Sequence, residues 1–144
     1  MERFKLIPSV YLILEQEGKI LLSRRFNTGF EDGKYGLVAG HAEEHEAMSA
    51  AMIREAEEEA GITIKQEDLQ EVVTMHRNCG DHERVDFFFT AEKWEGEIQN
   101  REPEKCDDLR WFPIGDMPAN VILYIKEAIG CFEIGKTYIE FGFE

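Results

Sequence analysis

Short apolar runs alternate along the chain with polar breaks that carry glycine, and the length of each run limits what it can form. "VYLILEQEGKILLSRR" holds two aliphatic, β-branched runs around Glu17-Gly18, which predicts two strands flanking a turn. "NTGFEDGKYG" reads as a glycine-rich loop. A helix is predicted from about Ala47 to Ala60, with Gly61 at a natural stop. "EVVTMHRN" and "RVDFFFTAEKW" predict a strand pair, the second heavily aromatic. A charged loop, "NREPEKCDD", is followed by a short strand at "LRWFPI". "PANVILYIKEAIGCF" predicts a second helix, with Pro118-Ala119-Asn120 at its start and Gly130 near its end, and "KTYIEFGF" a last strand. Strands and helices mix without regular βαβ alternation. That predicts an α+β fold, a mixed sheet with helices packed on it.

Composition narrows the partners. At 144 residues the chain fits one domain, residues 1–144, with no repeat, linker or low-complexity tract. No stretch approaches the roughly 18 apolar residues of a membrane span, and "MERFKLIPSV" reads as a strand rather than the core of a signal peptide. Cys79, Cys106 and Cys131 are scattered and lack metal-type spacing, so they read as reduced thiols in a cytoplasmic protein. The net charge of −14 argues against generic binding to a nucleic acid polymer or an anionic membrane, since either needs a basic face. A small anionic substrate stays open, provided a cation stands between it and the carboxylates.

Seven glutamates fall within Gly40–Ile62, "GHAEEHEAMSAAMIREAEEEAGI". At about 100° per residue, Glu55, Glu58 and Glu59 share one helix face about 100° wide, while Glu57 points away. Ser49, Ile53, Ala56 and Ala60 form an opposite stripe suited to packing on a sheet. Like charges at these spacings destabilise a helix by a few tenths of a kcal/mol per pair. The last turn also faces the negative end of the helix dipole. Arg54 offsets part of this through Glu58, but one arginine cannot neutralise the cluster. A hard divalent cation such as Mg²⁺ or Mn²⁺ can, because it prefers oxygen ligands.

The spacing Gly40-x5-Glu46-x7-Arg54-Glu55-Ala56-x-Glu58-Glu59-x-Gly61-Ile62 resembles the signature of the Nudix hydrolases. The resemblance implies an α/β/α sandwich on a mixed sheet. It also implies a loop–helix–loop that binds Mg²⁺ or Mn²⁺, and hydrolysis of a pyrophosphate linkage in a nucleoside diphosphate joined to a group X, by water attack on phosphorus. By position, Glu55, Glu58 and Glu59 would bind metal with the Gly40 carbonyl, Arg54 and Glu46 would form an orienting pair, and Glu57 would be free. Family habit adds a homodimer. The segment "KWEGEIQNREPEKCDDLRWF" is similar to a region of MutT-type enzymes. The likeness points to Glu102 as a further ligand or base, ahead of Glu104, with Glu59 a third candidate. "LLSRR" resembles a strand end carrying a phosphate-contacting arginine, here Arg25 or Arg24. "MPAN" resembles a base-reading segment with Asn120, which an N-cap role explains equally well.

Two departures bear on substrate subtype. Val38-Ala39-Gly40 stands where Pro-Gly-Gly is usual. His45 stands where glycine commonly precedes the first motif glutamate, in a loop expected to need positive φ. His41, His76 and His82 are candidates for the pocket wall. The alternative to an enzyme is a Nudix-fold binding module that has lost catalysis; degenerate carboxylates would signal it, and here all are present. An acidic calcium binder is a third reading, but no EF-hand loop is visible. The identity of X is open.

Overall fold

The first apolar run forms β1 (Ile7–Ile13), buried from Ser9 onward because both faces of its sheet are covered. In the computed structural model, which describes residues 2–144, β1 sits in a mixed five-stranded sheet. Its partners are β5 (Val38–Gly40), β7 (Glu83–Ala91), β6 (Leu69–Asn78) and β9 (Tyr138–Phe141), in the order β5-β1-β7-β6-β9. The β1–β7 and β6–β9 pairings are parallel; β1–β5 and β6–β7 are antiparallel. Alternation along β1 sends Val10 and Leu12 to the core beneath α1 (Met48–Ala60), and Tyr11 and Ile13 to the core beneath α2 (Leu123–Ile134). The helices therefore cover opposite faces, the expected α/β/α sandwich.

A second sheet is built on β3 (Lys19–Arg25), with β2 (Glu15–Gln16) and β4 (Tyr35–Gly36) on one edge and β8 (Cys106–Pro113) antiparallel on the other. The turn at Glu17-Gly18 lies where expected, with φ of 54° and 74°, the signature of a tight two-residue hairpin. It joins β2 to β3, while β1 belongs to the other sheet. The two apolar runs thus part company at Leu14.

The first helix has the expected ends, and Gly61 closes it in the left-handed conformation (φ 71°), its N–H donating to the Glu57 carbonyl at 3.1 Å. The second differs from expectation at both ends. Pro118-Ala119-Asn120 does not start it. The Tyr35 N–H donates to the Asn120 carbonyl and the Ile122 N–H to the Tyr35 carbonyl, which holds this stretch extended beside β4. The cap is Ile122, and the helix runs through Gly130 to Gly135 (φ 75°). No helix of the described residues is long and apolar enough to cross a membrane. The three cysteines are free thiols, Cys106 and Cys131 buried.

Candidate active site

The carboxylate row of α1 meets the end of β5 at Gly40. On the helical wheel the buried positions Ala51, Met52, Ala56 and Ala60 span an arc that contains Glu55 and Glu59. The packing stripe expected opposite the glutamates is therefore displaced toward them: Ser49 and Ile53 are only half-buried, and Glu55 and Glu59 are pressed toward the sheet. Glu57 is exposed, as expected of a free position. Residue 40 must be glycine for this to fit. A Cβ there would overlap Glu55 Cδ, with Oε2 at 2.5 Å and Cγ at 2.6 Å.

Arg54 braces the row. It grips Glu46 with two hydrogen bonds, Nε to Oε2 at 2.9 Å and Nη2 to Oε1 at 3.0 Å. Nη1 donates to Glu55 Oε1 at 2.7 Å and Glu58 Oε2 at 3.2 Å, and Nη2 to the His41 carbonyl at 3.0 Å. The Glu43 N–H also donates to Glu46, at 2.9 Å. The guanidinium first and this N–H second hold the Glu46 carboxyl down at about 2. Within the loop His45 takes φ 65°, the positive angle expected there.

Glu102 reaches the same place from outside the motif. The Gln99 N–H donates to the Ala60 carbonyl at 3.0 Å and the Arg101 N–H to Glu59 at 3.1 Å, so the loop before β8 caps open carbonyls at the end of α1. Asn100 Oδ1 then accepts the Glu102 N–H at 3.0 Å. These bonds set Glu102 into the wall of a cleft of about 1070 Å³ that also holds Gly40, Glu55, Glu58 and Glu59. Glu104 is not in that wall.

The cleft has more negative charge than Arg54 can match. Burial, followed by the adjacent Glu55, pushes the Glu59 carboxyl well above the usual range. Burial also raises Glu102, helped by Glu55, Glu104 and Glu58 and opposed by Lys105. Among the described residues no three acidic, histidine or cysteine side chains already converge on one point. Glu55 and Glu58 are turned to Arg54, and Glu58, at 52% side-chain exposure, has room to swing. An all-oxygen donor set in charge surplus, packed against a glycine that leaves room for Glu55, fits a hard divalent cation.

The other expected site residues divide. Arg25 lines the cleft but is turned to its own loop, Nε donating to the Phe30 carbonyl at 2.6 Å and Nη2 to Thr28 Oγ1 at 3.1 Å. Arg24 is not brought into the cleft; it pairs with Asp107 at 2.7 Å. Asn120 is also outside the wall, its Nδ2 donating to the Gly33 carbonyl at 2.7 Å. His41 and His82 line the cleft, whereas His76 lies against Glu83 and Phe143.

Sequence reasoning missed a buried group in the cleft wall. Arg77 Nε donates to the fully buried Asp86 at 2.7 Å, and its guanidinium lies 3.7 Å from the Tyr124 ring. The Tyr11 hydroxyl donates to Asp86 at 3.1 Å and sits 3.1 Å from that of Tyr124. The available signal was Asp86 at an inward position of an otherwise aromatic strand, since a buried carboxylate requires a partner.

An α/β/α sandwich that holds an arginine-braced row of helix carboxylates against a glycine of its sheet defines the class expected from the sequence, the Nudix hydrolases. The sequence pattern of the NUDIX domain matches residues 5–128, and the chain belongs to that family. It is 28% identical over 138 residues to the NAD-capped RNA hydrolase NudC of Pseudomonas putida, covering 88% of this chain and 47% of that protein. The NudC of Stutzerimonas stutzeri is 30% identical over 115 residues, 80% of this chain and 39% of that one. The chain thus spans less than half the length of these curated relatives. In fold it is similar to a MutT NUDIX hydrolase from Burkholderia pseudomallei, with a TM-score of 0.80, 24% identity, and coverage of 88% and 97% of the two chains. The NUDIX domain of Shewanella oneidensis NrtR, solved with ADP ribose, gives a TM-score of 0.67 at 22% identity, covering 88% and 87%.

Proposed function

We infer that this chain hydrolyses the pyrophosphate linkage of a nucleoside diphosphate joined to a group X, with Mg²⁺ or Mn²⁺. The observation that carries this reading is that Glu55, Glu58, Glu59 and Glu102 line one cleft beside Gly40, with Arg54 bonded to two of them. These four carboxylates and the Gly40 carbonyl would hold the metal. A divalent cation there would offset part of the diphosphate's charge and make water a better nucleophile at phosphorus. Arg54 keeps Glu46, Glu55 and the His41 carbonyl in register, which fixes the loop and helix against each other while Glu58 stays free to turn. Glu102 is the best candidate for taking a proton from water, since it enters the cleft from a separate loop, outside the helix row.

The complete set of carboxylates supports an enzyme over a silent binding module. The net charge of −14 supports a free nucleotide over a polymer. The names of the similar proteins make NAD⁺ and ADP-ribose the first compounds to try as X-bearing substrates. The test is product analysis on a panel of nucleoside triphosphates, nucleotide sugars, ADP-ribose, NAD⁺ and dinucleoside polyphosphates, with Mg²⁺ or Mn²⁺, an EDTA control and Glu58→Gln. Metal-dependent release of a nucleoside monophosphate with a second phosphorylated fragment is expected, reduced by orders of magnitude in the variant. Normal turnover by Glu58→Gln would refute the metal assignment.

A further inference from the structure

Resting on that reading, we propose that Arg84 is a phosphoryl anchor of the cleft, taking the phosphoryl group of the substrate that the motif carboxylates and their cation do not hold. Arg84 lies on β7, outside the signature, and its neighbours distinguish it from Arg54 and Arg77 in the same cleft. Arg54 is matched by Glu46, Glu55 and Glu58, and Arg77 by Asp86. Arg84 has no carboxylate within 4.0 Å among the described residues. Instead Nη1 donates to Ser9 Oγ at 3.1 Å and to His41 Nε2 at 3.2 Å, and Nε donates to His82 Nε2 at 3.1 Å.

Each of these partners is an uncharged acceptor. A guanidinium cannot accept, so both imidazoles present an Nε2 lone pair to it. His82 keeps its proton on Nδ1, 2.6 Å from Asp81 Oδ1. Ser9 is nearly fully buried on β1, which fixes one corner of the arrangement. Nη2 makes no hydrogen bond within the described residues, which leaves two N–H donors unused. A half-buried guanidinium that is oriented but not neutralised suits an anion, and its planar fork suits a phosphoryl group.

Its place relative to the motif supplies the rest. His41 follows Gly40 directly; its carbonyl accepts from Arg54 and its ring from Arg84. One residue therefore links the braced carboxylates to the free guanidinium, in the wall of one cleft. A diphosphate has two phosphoryl groups, and a cation held at the motif carboxylates and Glu102 would leave charge on the far one. Arg25 also lacks a carboxylate within 4.0 Å among the described residues, but its Nε and Nη2 are turned to the Phe30 carbonyl and Thr28. Arg84 is the guanidinium tied to the motif by a single side chain.

The experiment measures binding of α,β-methylene ADP, which cannot be hydrolysed at that link, and of AMP, both with Mg²⁺, by calorimetry. Wild type, Arg84→Gln, Arg84→Lys and the surface control Lys126→Gln are compared. Arg84→Gln should weaken the diphosphate analogue on the order of tenfold to a hundredfold, the loss of a charge-assisted bond pair. AMP should change by less than threefold, Arg84→Lys should fall between, and Lys126→Gln should match wild type. A structural role alone would weaken both ligands alike. Equal losses for AMP and the analogue, no loss for either, or no binding of the analogue by wild type would each overturn the anchor. If Arg84→Gln does not fold, Arg84→Lys decides by the same comparison. None of these readings uses turnover: a silent nucleotide panel with an Arg84-dependent difference would sink the hydrolase and leave the anchor. Metal-dependent turnover with analogue binding indifferent to Arg84 would do the reverse.

Discussion

Replacing Gly40 by alanine adds one methyl group at the most crowded point of the site. That carbon would overlap Glu55 Cδ and stand 2.5 Å from Oε2 and 2.6 Å from Cγ. Ordinary contact between such atoms needs about 3.5–4.0 Å, so Glu55 must retreat by about 1 Å or more. It is poorly placed to do so. Its side chain is 13% exposed, and Oε1 is held at 2.7 Å by an arginine with four other hydrogen bonds. Overpacking of this kind costs about 1–3 kcal/mol, a fall in Tm of about 2–4 °C per kcal/mol for a chain somewhat larger than this one and slightly more here. The effect on turnover should be larger, because a group misplaced by about 1 Å loses about a hundredfold in rate. Gly130→Ala is the matched control: nothing lies within 4 Å of its new carbon, and the site is on the exposed side of α2. There the same change should stabilise by about 0.5–1 kcal/mol and leave kcat alone. Scanning calorimetry and steady-state rates on a substrate from the nucleotide panel measure both. If Gly40→Ala turned over like wild type, Glu55 would not be held where the reaction needs it, and its contact with Gly40 would be incidental.

His45 holds φ 65° with an exposed ring whose ion-pair contact is Glu44 at 3.5 Å, so His45→Gly should relieve strain and stabilise by about 0.5–1 kcal/mol without changing kcat. A drop in Tm would show that the imidazole makes a contact the loop depends on. The pH dependence has two limbs. Glu46, depressed to about 2 from an ordinary value near 4.5, contributes stability above pH 4.5 that is lost as pH falls toward 2, with the Arg54 brace released first. Glu59 is raised, so without metal the stability it lends is full below about pH 4.5 and declines as pH climbs through its raised value. On the proposed metal assignment a cation displaces that proton, so the Tm gained by adding Mg²⁺ in place of EDTA should widen from pH 5 to pH 8. A gain that is flat or narrows with pH would remove Glu59 from the metal site.

What could be read from the chain depended on whether the relevant contacts are local. Arg54, Glu55, Glu58 and Glu59 lie on consecutive turns of one helix, and Gly61 stops that helix by its own backbone conformation, so spacing carried the information. The positive φ at His45 was legible for the same reason. The packing stripe was misjudged because polar residues were assigned to solvent. In fact Glu55 and Glu59 face the sheet, where Gly40 leaves the space and Ala39 supplies an N–H at 3.3 Å to Glu59. The start of α2 was misplaced because Tyr35, some 85 residues earlier, takes the backbone bonds of Asn120 and Ile122.

Glu102 and Arg84 mark two different limits. Glu102 was ranked ahead of Glu104 only by likeness to related enzymes. The physical cause of that ranking is non-local: Gln99 and Arg101 dock on the carbonyls at the end of α1 before Asn100 turns the chain. Arg84 had no marker of its own among sixteen lysines and arginines. What distinguishes it is the company it keeps, Ser9 from β1, His41 from beyond β5 and His82 from before β7, and only the assembled sheet brings these together. A signature confined to one loop and helix can therefore define the chemistry of the bond broken. The choice of X rests with residues whose meaning depends on strand order, so it should be sought on β1, β6 and β7 rather than in further inspection of the motif.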